Sequence, residues 1–282
     1  MSNGVVDFSA GRYYDQFHEE DELSAAHMCG LDQEVVGATT RAAYYRRLIR
    51  DRLSLGRVRV LDCGCGNGLT VETLRADGLD AWGNDLSTLR KWQWRDRTAR
   101  EYLVVADGSR LPFPSGFFDF IICSGVLEHV GVDEIGAPSY TVTPRPSRDE
   151  ERRRFLAELF RVSTPNACLF LDFPNGAFPI DFWHGGVPGG ARIHRFDEGF
   201  LPKIGYVRRL VHQLLPGARL TPLSPADRLQ FRQVSAHWYG RLFAPLVSGL
   251  FHMMRFPGLR WLAGTAINPF LVVEVRPHPG EP

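Results

Sequence analysis

Val60-Leu61-Asp62-Cys63-Gly64-Cys65-Gly66-Asn67-Gly68 reads as a short buried strand that runs straight into a glycine-rich turn. Leu69 to Asp77 restores helix spacing behind it, and Gly78 is placed to close that helix. Glycines at such a handover let the backbone turn tightly and approach a ligand closely. A dinucleotide fingerprint would read GxGxxG and set a pyrophosphate on the helix N-terminus. This loop reads GxGxG, with Asp62 just before its first glycine. A carboxylate there is awkward for a pyrophosphate and suited to a cationic amino-acid group. The loop therefore points away from a nicotinamide dinucleotide and toward a ligand bearing ammonium and sulfonium charge.

Working outward, the strand pattern repeats. Asp80-Ala81-Trp82-Gly83-Asn84-Asp85 is a second strand ending in an acid, with helix spacing from Ser87 to about Arg100. Leu103 to Ala106 is a third, followed by Asp107, and Phe118 to Ser124 a fourth. Arg152 to Val162 reads as an amphipathic helix and Ala167 to Phe173 as a fifth strand. Further on come a helix from Glu198 to Leu215, a strand at Arg219 to Leu223, helix from Leu229 to Ala263, and a closing strand at Phe270 to Val275. Tyr13 to Asp51 is helical ahead of them all. Strands alternating with helices predict a doubly wound α/β sheet covered by helices on both faces. Two stretches break the rhythm and read as long loops: Gly131 to Glu150, with Pro138, Pro144 and Pro146, and the glycine- and proline-rich Phe173 to Arg195.

Asp85 stands about 20 residues beyond the loop, where a carboxylate can accept two hydrogen bonds from a ribose diol. Asp107 ends the third strand, within reach of an adenine amino group. Each acid alone also fits a turn-forming or helix-capping aspartate. Together with Asp62 they make three acids at three successive strand ends, a single ligand-binding rim.

With these residues in place, the sequence resembles the class I S-adenosylmethionine-dependent methyltransferases. Val60 to Gly68 is similar to their glycine motif, Asp85-Leu86-Ser87 to their ribose-binding strand end, and Ala106-Asp107-Gly108 to their adenine-binding turn. Leu111-Pro112-Phe113-Pro114, Phe117-Phe118-Asp119 and Ser124 to Val130 resemble the stretch around their fourth strand, and Phe270 to Val275 their last strand. The resemblance implies a seven-stranded Rossmann-like sheet with a small helical cap. It also implies S-adenosylmethionine as co-substrate, with Tyr14, Asp62, Cys63, Gly64, Gly66, Gly68, Asp85, Leu86, Ala106, Asp107, Gly108 and Ser124 around it. Pro165-Asn166-Ala167 replaces the family's Pro-Gly-Gly turn, and asparagine too can take a left-handed turn geometry.

A sulfonium makes its methyl electrophilic, so the enzyme holds an acceptor in line with it. A hydroxyl acceptor also needs its proton removed, which suits a histidine. His129, directly after the fourth strand, and His184 and His194, in the loop after the fifth, are the candidate bases. Phe173-Pro174-Asn175, Asp181, His184 and Gly185 are similar to bacterial methyltransferases acting on sugars of polysaccharides, glycolipids and antibiotics. Trp183 could stack on a sugar face or anchor the loop. Asp133 and Glu134 could ligate Mg²⁺ with one histidine, or stand simply solvated; no metal-ligand set is assigned. The expected reaction is O-methylation of a sugar, glycan, glycolipid or secondary metabolite. Its rivals are N- or C-methylation of a small amphiphilic metabolite, and a non-catalytic S-adenosylmethionine-binding partner.

Composition limits the alternatives. The 282 residues carry 33 Lys plus Arg against 32 Asp plus Glu, a balance that argues against a nucleic-acid partner and for a small-molecule or saccharide substrate. Five cysteines, an odd number with no matching histidine pair, argue against both a disulfide framework and a zinc knot. No signal-peptide pattern opens the chain, and the expected setting is cytoplasmic. The expected layout is an N-terminal helical segment at 1–52 covering the cofactor, the methyltransferase domain at 53–225 and 265–282, and a helical cap at 226–264. Leu242 to Val275 is apolar but broken by Pro245 and Pro257, too short to span a membrane. That tail reads as a packed cap, a peripheral membrane contact near Arg255, Arg260 and Trp261, or a homodimer contact. Arg145, Arg148, Arg152, Arg153 and Arg154 interleave with acids and read as a solvated helix start.

Overall fold

A computed structural model of the chain describes residues 6–7, 25–52, 58–87, 90–135, 141–184, 191–229 and 238–277. In chain order the elements are β1 (Val6–Asp7), α1 (Ala25–Arg50), β2 (Arg59–Cys63), α2 (Leu69–Ala76), β3 (Asp80–Asp85), α3 (Arg90–Gln93), β4 (Leu103–Val105) and β5 (Phe118–Ser124). They continue with β6 (Val132–Ile135), β7 (Thr141–Pro144), α4 (Arg148–Val162), β8 (Ser163–Pro174), β9 (Ile180–Asp181) and β10 (Arg192–Ile193). Last come α5 (Ile204–Leu214), β11 (Arg219–Leu223), α6 (Trp238–Met253) and β12 (Phe270–Arg276). The chain divides into two compact units, Met1–Ser124 with Ala157–Cys168, and Gly125–Leu156 with Leu169–Pro282. The fold is α/β and Rossmann-like: β2, β3, β4, β5, β8, β11 and β12 are the seven expected strands, and β1 is an addition.

In the first unit β1, β4, β3, β2 and β5 are neighbours in that order, and every pairing is parallel. The carboxyl ends of β2, β3, β4 and β5 therefore share one edge, where the glycine loop and both following acids leave the sheet. Val60 and Leu61 are fully buried, as strands of parallel sheets are. Ala38, Ala42, Tyr45 and Ile49 form the buried stripe of α1, while Thr70, Val71 and Leu74 are buried from α2.

The helix expected from Ser87 to about Arg100 is instead α3 and a 3-10 turn at Arg100–Tyr102. Side chains and backbone in between are bound elsewhere. Trp94 Nε1 donates to the Gly66 carbonyl at 2.8 Å, Arg97 Nε to the Asn67 carbonyl at 2.9 Å, and Thr98 N to Glu72 Oε1 at 2.7 Å. The turn expected at Pro165-Asn166-Ala167 is also absent, because these residues continue β8. Asn166 is not left-handed; Asp227 is the non-glycine residue at positive φ among those described.

In the second unit Leu169–Pro174 pairs antiparallel with β12, in register from Leu169↔Val275 to Pro174↔Phe270. β12 pairs antiparallel with β11. The expected loop from Gly131 to Glu150 contains the antiparallel hairpin of β6 and β7, and α4 starts at Arg148 rather than Arg152. Val132 and Val142 pack with Phe200 and Leu201, which gives the hairpin an apolar side. A smaller hairpin pairs Asp181 with Arg192 across β9 and β10. α5 begins at Ile204 rather than Glu198, after the left-handed Gly199 (φ 74°). The apolar tail is α6 and a separate 3-10 helix at Pro257–Gly264, with Pro257 at its first turn in place of a continued helix. Ala226, Phe251, Met254 and Ala263 form a buried cluster there. Among the described residues no helix is long and apolar enough to cross a membrane.

Candidate active site

The first unit builds the glycine-loop side. Gly64, Gly66 and Gly68 sit at φ 80°, 56° and 77°, a backbone region that side chains with a Cβ disfavour. At Gly68 a Cβ would also lie 2.6 Å from Leu103 Cδ1. Gly64 N and Cys65 N donate to the Asn84 carbonyl at 2.8 and 2.9 Å, which ties the loop to the end of β3. Asp85 accepts from Gly66 N at 2.9 Å and Ser87 N at 3.0 Å, so its carboxylate is aimed back over the loop. Asn67 Oδ1 accepts from Leu69 N at 3.0 Å at the start of α2.

Buried polar atoms line this edge. The Asn67 amide nitrogen and the Asn84 amide oxygen have no hydrogen-bond partner among the described residues, an arrangement costly unless a ligand or water supplies one. With the three glycines, they fit a polar small molecule seated on the loop. Cys65 is fully buried, and burial, then the charges of Asp85 and Asp62, push its thiol well above the usual range. Asp62 is fully buried, with Arg41 Nη2 3.6 Å away. Arg41 also donates to the Cys65 carbonyl and to Thr70 Oγ1, at 3.2 and 3.0 Å. This cation from α1 was not singled out in the sequence; its only signal is its place in the helical stripe facing the loop.

Asp107 accepts from Ser109 N at 2.8 Å in a turn that carries Gly108. Ala106 and Cys63 are buried, Leu86 is half-buried, and Ser124 closes β5 with little exposure. Tyr14 lies outside the described residues.

The second unit assembles histidines from distant parts of the chain. His129 ends a 3-10 turn at Leu127–His129, and its Nδ1 is 2.8 Å from Glu134 Oε1 on β6. His184 Nδ1 is 2.9 Å from Asp181 Oδ2, and the two imidazole centroids are 5.1 Å apart. Phe200 packs its ring against both. Burial would lower the His129 pKa, but the Glu134 hydrogen bond and the charges of Glu128 and Glu134 outweigh it, and the net shift is upward. Burial would raise Asp181, yet His184, the Trp183 amide and Arg192 hold it down at about 2. Glu128 is 1% exposed, and burial raises its pKa against the attraction of His129 and His184.

Arg152 corrects the reading of its neighbourhood as a solvated helix start. It is 1% exposed and donates to the carbonyls of Glu128 at 2.8 Å, Phe200 at 2.7 Å and Val130 at 3.0 Å. One guanidinium thus fixes the turn that carries Glu128 and His129. His194 is engaged elsewhere, with Nε2 2.6 Å from the Phe178 carbonyl and Nδ1 3.2 Å from the Arg195 carbonyl. Asp133 and Glu134, adjacent on β6, face opposite ways: Asp133 pairs with Arg145 at 3.3 Å, Glu134 with His129. Trp183 packs on Phe270, centroids 4.9 Å apart.

Residues 61–171 match the family described as a methyltransferase domain. The demethylmenaquinone methyltransferase of Beutenbergia cavernae is 33% identical over 88 residues, 31% of this chain and 37% of that protein. The chain thus spans little more than a third of the length of that curated relative. A TehB-like S-adenosylmethionine-dependent methyltransferase from Corynebacterium glutamicum superimposes with a TM-score of 0.50 at 18% identity, covering 89% of this chain and 98% of that one. A similar methyltransferase from Archaeoglobus fulgidus gives 0.47 at 14% identity, covering 85% and 94%. The glycine loop and the parallel strands β3, β4 and β5 lie within the stretch that is similar to a methyltransferase domain.

Proposed function

We propose that the chain moves the methyl of S-adenosylmethionine to a hydroxyl oxygen of a sugar, glycan or other polyhydroxylated metabolite. The observation that carries this reading is the pair of carboxylate-backed imidazoles, Glu134 with His129 and Asp181 with His184. A hydroxyl is the acceptor that needs such a group. Its oxygen attacks the methyl carbon, the sulfur–carbon bond breaks with its electron pair left on sulfur, and the hydroxyl proton passes to an imidazole Nε2. The products are a methyl ether, neutral S-adenosylhomocysteine and an imidazolium, so atoms and charge balance. Nδ1 faces a carboxylate in each ring, which leaves Nε2 as the basic nitrogen and stabilises the imidazolium that forms.

On the donor side, Asp62 and Arg41 offer opposite charges to the ammonium and carboxylate of the methionine moiety, and Asp85 offers acceptors to the ribose. The Beutenbergia cavernae relative is named a demethylmenaquinone methyltransferase, and transfer to a ring carbon of such an isoprenoid quinone, in its reduced form, is the second reading. The test is a labelled-methyl screen across deoxysugars, oligosaccharides, glycolipids and isoprenoid quinols. Transfer to a saccharide hydroxyl, reduced at least about 100-fold in His129→Ala or His184→Ala, supports the proposal. Transfer to a quinol ring carbon overturns it, and S-adenosylhomocysteine binding without turnover on any acceptor leaves the non-catalytic rival.

A further inference from the structure

Glu128, His129 and His184 each present one ligand-type atom, and these three atoms lie within 4.8 Å of one another. Ligand atoms held about 2.0–2.2 Å from one tetrahedral ion stand roughly 3.4 Å apart. At its widest the cluster is therefore open by little more than an ångström relative to such a site. His129 Nδ1 faces Glu134, and His184 Nδ1 faces Asp181, at 2.8 and 2.9 Å. A carboxylate behind each ring favours the proton on Nδ1 and the lone pair on Nε2, the outer arrangement metal-binding histidines use. Glu128 supplies an independent observation: it is 1% exposed, and its Oε2 has no hydrogen-bond partner among the described residues. A buried carboxylate left this way is costly, and a cation offsets the cost.

We propose that Glu128, His129 and His184 bind a divalent transition-metal ion of the zinc or ferrous class, leaving at least one coordination position open. Two imidazoles and one carboxylate suit such ions, whereas magnesium prefers oxygen alone. Asp133, paired with Arg145, is not part of the set, and Glu134 acts behind His129 rather than on the ion. In the loaded protein the Nε2 lone pairs hold the ion instead of accepting the acceptor's proton. The inference does not depend on methyl transfer, because its readout is binding.

The test uses the untagged 282-residue chain stripped with a chelator and titrated with Zn²⁺ by calorimetry and with Co²⁺ by visible absorption. We expect one ion per chain, with cobalt bands of nitrogen–oxygen ligation. His129→Ala and His184→Ala weaken it by about 100-fold or more and Glu128→Gln by about 10-fold, while Asp133→Asn leaves it unchanged. S-adenosylhomocysteine affinity stays within about twofold throughout, which reports a folded donor side. Should a histidine variant not fold, imidazole proton shifts of two histidines on adding Zn²⁺ to the wild-type protein answer the same question. No ion bound, or binding that survives both histidine variants, overturns the proposal, and the cluster is then a proton-holding Glu128–imidazole pair. Ion binding without turnover would leave this inference standing and remove the methyl-transfer reading.

Discussion

The glycine loop and the histidine cluster solve different problems by different means. The loop is made chiefly of backbone: Gly64, Gly66 and Gly68 are in left-handed conformations, with the Gly64 amide tied to Asn84, that of Gly66 to Asp85 and that of Gly68 to the Cys65 carbonyl. Its parts come from consecutive strands of one parallel sheet, so a short stretch of chain specifies it. The cluster is made of side chains. Glu128 and His129 come from a 3-10 turn, Glu134 from β6, Arg152 from α4, Asp181 from β9 and Arg192 from β10. A backbone-built site needs only the right glycines and strand order, whereas a side-chain-built site also needs every supporting partner in place. The two should therefore fail differently.

The largest expected effect is at Arg152. Arg152→Ala leaves three carbonyls without their donor, those of Glu128 and Phe200 in buried hydrogen bonds and that of Val130 in a half-buried one, at about 1–3 kcal/mol each where water does not replace it. We expect a loss of roughly 3 kcal/mol in the denaturant unfolding free energy. A loss below about 0.5 kcal/mol would mean the turn holds without its guanidinium, and the cluster would then depend on its partners no more than the loop does. Next is Asp85→Ala, which removes the acceptor for Gly66 N and Ser87 N and the proposed ribose partner together. At about 1.5–3 kcal/mol for hydrogen bonds to a charged group, S-adenosylhomocysteine should bind about 100-fold more weakly by calorimetry. An unchanged affinity would remove Asp85 from the donor side. Gly68→Ala puts a Cβ against Leu103 in a left-handed residue, and we expect about 1–3 kcal/mol of destabilisation, read as a lower thermal midpoint.

These differences track what was legible in the sequence. Strands β2 to β5 were readable because each carries strand-forming apolar residues and ends in, or is followed within two residues by, a glycine or an acid. The β6–β7 hairpin was hidden, since few apolar residues mark it and three prolines suggested a loop. Arg152 was hidden for another reason: its acidic and basic neighbours imply a solvated face. Yet it lies three, four and seven residues before Phe155, Leu156 and Leu159, all buried, so helix spacing alone places it on the inward stripe. The lesson is specific to charge. Composition says a charged residue is wet, and periodicity, which said otherwise here, was the better guide. Glu128, beside buried Leu127, escaped because its charge likewise implied exposure.

The smallest effect separates the two regions by pH. Glu158, in the first unit, accepts from Arg161 Nε at 2.8 Å and from Leu111 N at 2.7 Å, beside the stretch that follows the Asp107 turn. The Arg161 hydrogen bond, against some burial, holds its pKa below the ordinary 4.5. A carboxyl lowered on folding stabilises the protein fully above its unfolded pKa, and the contribution is lost as pH falls through the lower folded value. Arg161 is partly exposed, so the pair is screened and contributes less than about 1 kcal/mol. Urea midpoints of wild type and Glu158→Gln should therefore differ slightly at pH 7 and converge below pH 4.5. The cost of Arg152→Ala should stay flat over that window, because neither a guanidinium nor a carbonyl titrates there. A Glu158→Gln difference equally flat with pH would show that shape, not charge, holds that side of the glycine-loop unit.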